Sequence, residues 1–205
     1  MAIARLARTV SMLTASLLLS SCAGIGSWVR PPHCPVAPVP TAELSDVELR
    51  ARMRFTIKSK EAHLEAIARS TQGELRIVGI ASYGIRLFAI HQRGQEIRVE
   101  GALSPKFEQL ALWTLDALHR SIWIQAPTNA GDSPVVSWQR ENERVTESNE
   151  AGERHREFSR ARASAPVRVH YSRPAAASRI EIQNPWCGYD AVIAIIDSAR
   201  GLSDE

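Results

Sequence analysis

Apolar and polar residues alternate along much of the chain. Residues 53–57 place apolar side chains at every second position, which is typical of a strand with one buried face. Residues 60–69 are rich in helix formers but lie between strand-like runs, and we interpret them as a strand. The last run is apolar on both faces, which predicts a central or covered strand. The predicted strands are 53–57, 60–69, 75–81, 85–91, 97–100, 122–125, 135–138, 167–171, 180–183 and 189–196.

One long helix is predicted within residues 104–120, starting at Pro105. Ser104 can cap its N-terminus, and Pro105 suits the first helical position because its missing N–H has no intrahelical partner there. The apolar face covers about half the circumference, so we expect the helix to be buried against a large surface. This face comprises Phe107, Leu110, Ala111, Trp113, Leu115, Ala117 and Leu118.

About nine or ten strands against one long helix indicate an α+β fold. We expect a strongly curved antiparallel sheet with the helix packed on its concave face. Residues 139–162 are half charged, with Arg and Glu closely mixed. We interpret them as a solvated hairpin or an exposed loop rather than a core element.

The N-terminus has the layout of a bacterial secretory signal. Arg5 and Arg8 precede a short apolar run that ends in the letters LSSC at residues 19–22. These letters match the lipobox of bacterial lipoproteins, and the resemblance implies a signal peptide at 1–21 and lipidation of Cys22. Ala23, not Asp, follows the cysteine, and by resemblance to enteric lipoproteins this implies transfer to the outer membrane, on its periplasmic leaflet. The alternative is an ordinary cleaved signal that ends near a cysteine.

Five prolines follow the lipobox before residue 41, which excludes a helix and removes sheet donors. Residues 22–41 are therefore predicted to be an extended tether between the lipid anchor and a folded domain. The remaining residues, 42–205, are enough for one domain with a substantial core.

The charge balance excludes a nucleic-acid-binding surface. The formal charge of the whole chain is +3, and removal of residues 1–21 with their two arginines leaves +1. The chain has only three lysines, and its arginines are interleaved with acids.

Cys34 and Cys187 form the natural disulfide pair once Cys22 is acylated in an oxidising periplasm. Two unpaired buried thiols are the alternative. A metal site made from both cysteines and His33 is disfavoured because no paired-cysteine spacing and no second histidine cluster is present. We therefore predict no metal and no cofactor.

No catalytic motif is found. The sequence lacks a Gly-x-Ser-x-Gly elbow, a His-Glu-x-x-His pair and a phosphate-binding glycine loop. The six histidines are scattered through different predicted elements, and His119 suits the negative end of the helix dipole better than catalysis. We do not expect an enzyme.

Three stretches together resemble a known family: GIRLFAIHQRG at 84–94, QLALWTLDALHR at 109–120 and NPWCGYDAVIAI at 184–195. They are similar to a proteobacterial outer-membrane lipoprotein family of unknown function, some members of which are encoded in aryl-polyene biosynthesis clusters. That family is similar in fold to LolA and LolB, the lipoprotein carrier and receptor. The resemblance implies a LolB-like half-barrel that holds acyl chains in an apolar cavity.

We therefore expect an outer-membrane lipoprotein that binds or transfers a lipidic or acylated envelope molecule without covalent chemistry. Two alternatives remain: a scaffold lipoprotein that binds a partner protein in the envelope, and a lipid-acting hydrolase. The apolar residues of the helix and the sheet can form either a ligand cavity, which the first function requires, or an ordinary dry core. The cavity candidates are Phe55, Phe88, Phe107, Leu110, Trp113 and Leu118.

Overall fold

Eleven antiparallel strands form one sheet in the computed structural model, which describes residues 38–44, 46–127, 133–150, 152–172 and 179–200. The strands are β1 (Val47–Ile57), β2 (Lys60–Thr71), β3 (Glu74–Ile80), β4 (Arg86–Arg93), β5 (Glu96–Glu100), β6 (Val135–Arg140), β7 (Glu143–Glu150), β8 (Glu153–Ser159), β9 (Val167–Ser172), β10 (Arg179–Asn184) and β11 (Tyr189–Arg200). Their order across the sheet is β5-β4-β3-β2-β1-β11-β10-β9-β8-β7-β6.

The sheet is open, with β5 and β6 at its edges. The predicted fold class is therefore wrong: the protein is mostly β, a single large open sheet with one helix, and not an α+β half-barrel. The error arose because alternation identifies strands but does not reveal whether a sheet closes. The prediction of a central last strand is confirmed, since β11 pairs with β1 on one side and with β10 on the other.

The helix α1 (Pro105–Leu118) begins where the sequence predicts. Ser104 makes no capping bond through its side chain, but its carbonyl accepts hydrogen bonds from the N–H groups of Phe107 and Glu108. The helix continues as a single π-helical turn, His119–Trp123. The strand predicted at 122–125 is therefore wrong, because half of that segment completes this turn.

One face of the sheet and one face of α1 form the hydrophobic core. Leu110, Trp113 and Leu118 are buried on the helix, and Phe55 and Phe88 are fully buried on the strands. The ring centroids of Trp113 and Tyr189 are 5.9 Å apart, and those of Phe55 and Tyr189 are 5.5 Å apart. These contacts place α1 on the face of the sheet to which Phe55 belongs.

The highly charged segment 139–162 is part of the sheet rather than a loop, and it contributes to the core. It contains the end of β6, all of β7 and all of β8. Glu143 and Arg156 are buried on the helix-bearing face, between apolar neighbours such as Val145 and Phe158. The prediction of a hairpin is confirmed, since β7 pairs with β8, whereas the prediction that the segment is not a core element is wrong, because Glu143 and Arg156 are paired inside the protein.

The end of the predicted tether packs against the sheet. Val39 is buried, and Thr41–Glu43 forms a single 3₁₀ turn. The Gln92 side chain donates to the carbonyl of Val39, and Arg140 donates to the carbonyl of Pro38. The predicted signal peptide, the lipidation site Cys22 and Cys34 lie outside the described residues.

Candidate functional site

An open groove of about 960 Å³ lies mainly on the sheet face opposite α1. Strand β1 shows the division between the faces, because Ala51, Met53 and Phe55 are buried whereas Arg52 and Arg54 are exposed. The groove is lined by residues of β1, β2, β3, β10 and β11 and of the turn between β3 and β4. It therefore crosses the middle of the sheet.

The floor of the groove is apolar. Ile67, Ile80, Val192 and Ala194 line it, and each is half-buried. They come from three strands and reach the same face because side chains alternate along a strand. The floor can therefore hold an apolar chain laid across the strands.

Arginine side chains surround this floor. Arg50, Arg52, Arg54 and Arg179 line the groove, and Glu65 is its only acid among the lining residues. Four arginines and one glutamate thus border an apolar floor, which favours a ligand that combines an apolar chain with an anionic group.

Arg52 is the arginine best placed to meet an anion. Cross-strand register places it directly between Ala194 and Glu65. Glu65 is engaged instead by Arg50, with Nε and Oε1 2.6 Å apart. Within the described ranges, Arg54 and Arg179 also pair with acids outside the groove, whereas Arg52 makes no ion pair. Its guanidinium is exposed and available to a ligand.

Exposed apolar residues lie beside the groove, in the turn between β3 and β4. Ser82 and Gly84 line the groove, and Tyr83 between them is 92% exposed. Ile85 follows in the same turn and is 57% exposed. The turn is held by the N–H of Ala81 donating to the carbonyl of Ile85 at 2.8 Å. An ordered turn therefore presents an aromatic ring to solvent.

The predicted cavity residues lie on the other side of the sheet. Phe55, Phe88, Leu110, Trp113 and Leu118 belong to the buried core, and Phe107 is half-buried against it. The groove is lined by none of these six. Their role in holding a ligand stays a prediction.

A buried polar network joins the helix to the sheet. Asp116 accepts hydrogen bonds from Arg120 Nε at 3.0 Å, Asn184 Nδ2 at 2.8 Å and the Tyr189 hydroxyl at 2.7 Å. Arg120 also donates two hydrogen bonds to Glu143. Asp116, Arg120 and Glu143 are each only 2–3% exposed, so they are closed to substrate in this structure.

Burial and charge pairing set the pKa values in this network. Burial opposes the charge of Arg120, but Asp116 and Glu143 outweigh it and raise the pKa of the guanidinium. Burial likewise works against ionised Glu143, but hydrogen bonds and charge from Arg120 hold its pKa below the ordinary value. The pKa of Tyr189 is raised well above its ordinary range by burial and then by Asp116. These shifts favour a charged Arg120, a charged Glu143 and a neutral Tyr189 in the folded protein.

A second buried cluster connects the helix to the N-terminal segment. His119 Nδ1 accepts from the N–H of Val39 at 3.3 Å, and its Nε2 lies 2.9 Å from Gln92 Oε1. Accepting at Nδ1 requires a neutral ring that donates from Nε2. Burial, with smaller effects from Arg140 and Arg120, lowers the pKa of His119 to about 3. The predicted role of His119 as a cation on the helix dipole is therefore wrong.

A family model for proteins of unknown function, DUF3261, matches residues 48–197. The chain belongs to the DUF3261 family. A comparison with curated proteins finds no match. The predicted resemblance to a family of unknown function agrees with this membership, whereas the link to aryl-polyene clusters stays a prediction.

Two solved structures of other proteins are similar to the DUF3261 chain at low sequence identity. One is a DUF1329 family protein from Desulfovibrio piger, 10% identical, with a TM-score of 0.29 over 78% of this chain and 88% of that one. The other is a putative outer membrane lipoprotein-sorting protein domain from Vibrio parahaemolyticus, 7% identical, with a TM-score of 0.35 over 78% of this chain and 87% of that one. Values this low do not establish a common function.

Sequence reasoning missed the groove because its residues are far apart in the chain. Arg52, Ile80 and Ala194 meet only through the pairing of β11 with β1, of β1 with β2 and of β2 with β3. The alternation of arginine with apolar residues in β1 was the available signal. It predicted an exposed face but not which residues the neighbouring strands add to it.

In the part of the chain that the structure describes, no helix has the length and hydropathy needed to cross a bilayer.

Proposed function

We propose that this protein is an outer-membrane-anchored lipoprotein that binds or transfers a lipidic or acylated envelope molecule carrying an anionic group. The lipobox at Cys22 supports the anchor and the location. The groove supports the ligand class, because an apolar floor flanked by arginines suits an acyl chain joined to an acidic head group. This juxtaposition is the observation that carries the proposal.

The acyl chain would lie along Ile67, Ile80, Val192 and Ala194, and the acidic group would meet Arg52. Full burial of a methylene group contributes about 0.8 kcal/mol, and an open groove gives less. A charge-assisted hydrogen bond from the guanidinium would add specificity for an anion. The exposed ring of Tyr83, next to the groove, could contact a membrane or the part of the acyl chain that extends out of the groove.

The proposed activity is binding without chemistry. Acidic and basic groups converge most densely around Arg120, yet these groups are buried and bound to one another. The groove itself offers arginines, one glutamate, one histidine and the hydroxyl of Ser82 around an apolar floor, and among the described residues the histidine, His63, is hydrogen-bonded to Glu61 and not to Ser82. Such a set suits retention of an anion better than hydrolysis of a lipid.

Binding of a fluorescent fatty acid to the full-length protein, purified in detergent, tests the proposal. Ala194→Trp should fill the floor and abolish binding. Arg52→Glu should weaken binding of the anionic probe by about tenfold or more, the equivalent of one charged contact. The same substitution should have little effect on an uncharged monoacylglycerol probe. Absence of binding by the unaltered protein would overturn the proposal.

Arg144→Glu is the matched control. Arg144 is exposed on β7, on the same face of the sheet as Arg52 but outside the groove. This substitution changes the net charge equally and should leave the affinity for the fatty acid unchanged. Equal weakening by Arg144→Glu and Arg52→Glu would show that only the overall charge matters and would contradict binding in the groove.

A second candidate function, docking of a partner protein in the envelope, is favoured by the exposed apolar residues. Tyr83 and Ile85 share one turn and are 92% and 57% exposed, and Leu103 is 76% exposed, so these side chains offer apolar surface to a partner. Substitution of Tyr83 by Ser should then abolish crosslinking to the partner while fatty-acid binding persists. Under the lipid proposal, Ala194→Trp should instead reduce fatty-acid binding more than the substitution of Tyr83 does.

A further inference from the structure

Two histidines and a glutamate converge on the sheet face opposite α1, away from the groove. His155 lies on β8 and His170 on β9, directly opposite one another in the strand register. Their imidazole rings stack with centroids 4.5 Å apart and planes 9° apart. Glu153, two residues before His155, points to the same face because side chains alternate along a strand.

The three side chains present ligand atoms at metal-binding separations. The Nε2 atom of His170 lies 3.0 Å from Glu153 Oε2, and His155 Nε2 lies 3.8 Å from the same oxygen. Ligand atoms from all three residues lie within 4.8 Å of one another. Two ligands bound to tetrahedral zinc at about 2.0–2.1 Å are about 3.3 Å apart. Small side-chain rotations would therefore bring the three ligand atoms to the required spacing.

We propose that Glu153, His155 and His170 form a site for a divalent transition metal of the Zn²⁺ type. Two imidazoles and one carboxylate suit Zn²⁺ and Cu²⁺, whereas Mg²⁺ prefers oxygen ligands alone. The three residues are about one third to one half exposed, so water can complete the coordination. This site is independent of the proposed lipid groove.

The arginines around this position are engaged by other groups. Glu181 on β10 lies directly opposite His170 on the same face, and it pairs with Arg179 at 2.9 Å. Arg168 on β9 also faces outward, and its Nε lies 3.4 Å from Glu157 Oε2. On β8, Arg154 and Arg156 belong to the helix-bearing face, where both guanidinium groups lie near the Tyr171 ring. The positive charges closest in sequence are thus engaged elsewhere.

Isothermal titration of Zn²⁺ into the full-length protein, purified without a polyhistidine tag, tests this proposal. We expect one site that Mg²⁺ does not fill. His170→Gln and His155→Gln should each weaken binding at this site by about tenfold or more. Replacement of Zn²⁺ by Co²⁺ should give a visible absorption band that the same two substitutions abolish.

His63→Gln is the matched control, because His63 is also exposed and lies 3.2 Å from a glutamate, Glu61. That pair lacks a second imidazole within the described residues. The substitution should leave Zn²⁺ affinity unchanged. Absence of Zn²⁺ binding, or binding that survives in both His155→Gln and His170→Gln, would overturn the proposal. Neither result would contradict fatty-acid binding in the groove, which is measured separately.

Discussion

Arg120 and Glu143 face each other in the core through two parallel hydrogen bonds. Arg120 Nη1 donates to Glu143 Oε2 at 3.0 Å, and Nη2 donates to Oε1 at 3.1 Å. The guanidinium also lies 4.7 Å from the centre of the Phe158 ring. One side chain belongs to the π-helical turn after α1 and the other to β7, so the pair fixes the end of the helix to the sheet.

Replacement of Glu143 by Gln should destabilise the protein by up to about 3–5 kcal/mol, because the buried guanidinium of Arg120 then loses one of its two carboxylate partners and retains only Asp116 among the described residues. Denaturation by urea measures the loss as a lower midpoint. Glu157→Gln is the control, since Glu157 forms an exposed pair with Arg168. That change should cost about 1 kcal/mol or less. Similar losses in the two variants would contradict a specific role for the buried pair.

The buried pair also shows how far sequence alone could lead. Alternation identified β2 despite its helix formers, since Leu64, Ala66 and Ala68 are buried on one face. The same reasoning assigned Glu143 to a solvated segment, because its neighbours are charged. The partner that makes its burial possible is 23 residues away on the helical segment. Local pattern predicts elements well, whereas ion pairs between elements depend on packing.

The two histidines of the proposed metal site illustrate the same limit. His155 and His170 were seen as isolated residues in different elements, and they meet only because β8 and β9 pair in one register. A shift of that register by one residue would turn one ring to the opposite face. The groove likewise depends on pairing of β1 with β11, the strand farthest from it in sequence. Neither register could be derived from alternation alone.

His119 should make the protein less stable as the pH falls. Its pKa is about 3 in the folded protein, below the ordinary value of 6.5, so the unfolded chain binds more protons between these values. The stabilisation is complete above about pH 6.5 and decreases as the pH falls toward 3, by up to about 1.4 kcal/mol per pH unit. Urea denaturation at pH 7 and at pH 5 measures the difference.

His119→Gln should reduce this pH dependence because the buried titratable ring is removed. It should also lower the stability at pH 7, because the ring's hydrogen bonds to the N–H of Val39 and to Gln92 are lost. His63→Gln, which replaces an exposed histidine on β2, is the control that separates loss of the buried ring from loss of any histidine. An unchanged slope in His119→Gln would show that His119 is not the group responsible. Measurements stop at pH 5 to avoid the titration of the carboxylates.

Gly79 provides the space for an aromatic ring on the neighbouring strand. Gly79 of β3 lies directly opposite Phe88 of β4, and a Cβ atom on Gly79 would lie 2.3 Å from Phe88 Cζ. Gly79→Ala should therefore destabilise the protein by about 1–3 kcal/mol through overpacking. Urea denaturation measures the loss. Phe88→Leu in the same chain should make Gly79→Ala less costly, whereas additive losses would contradict the steric explanation.

Disulfide pairing of Cys187 with Cys34 is a further testable prediction. Cys187 is buried in the turn between β10 and β11, where its N–H donates to Asn184 Oδ1 at 3.1 Å. A bond to Cys34 would close nearly the whole folded domain into a loop and stabilise it by about 4–5 kcal/mol in the chain-entropy model. Mass spectrometry of unreduced peptides should detect the linked pair.

Thermodynamic coupling separates a disulfide from two buried thiols. Cys34→Ser and Cys187→Ser should each remove the bond, so the double variant should be little less stable than either single variant. The unaltered protein should also lose stability when reduced, and the variants should not. Two independent thiols would instead give additive losses and no response to reductant. Cys22 stays in place in every variant, so its predicted lipidation is unaffected.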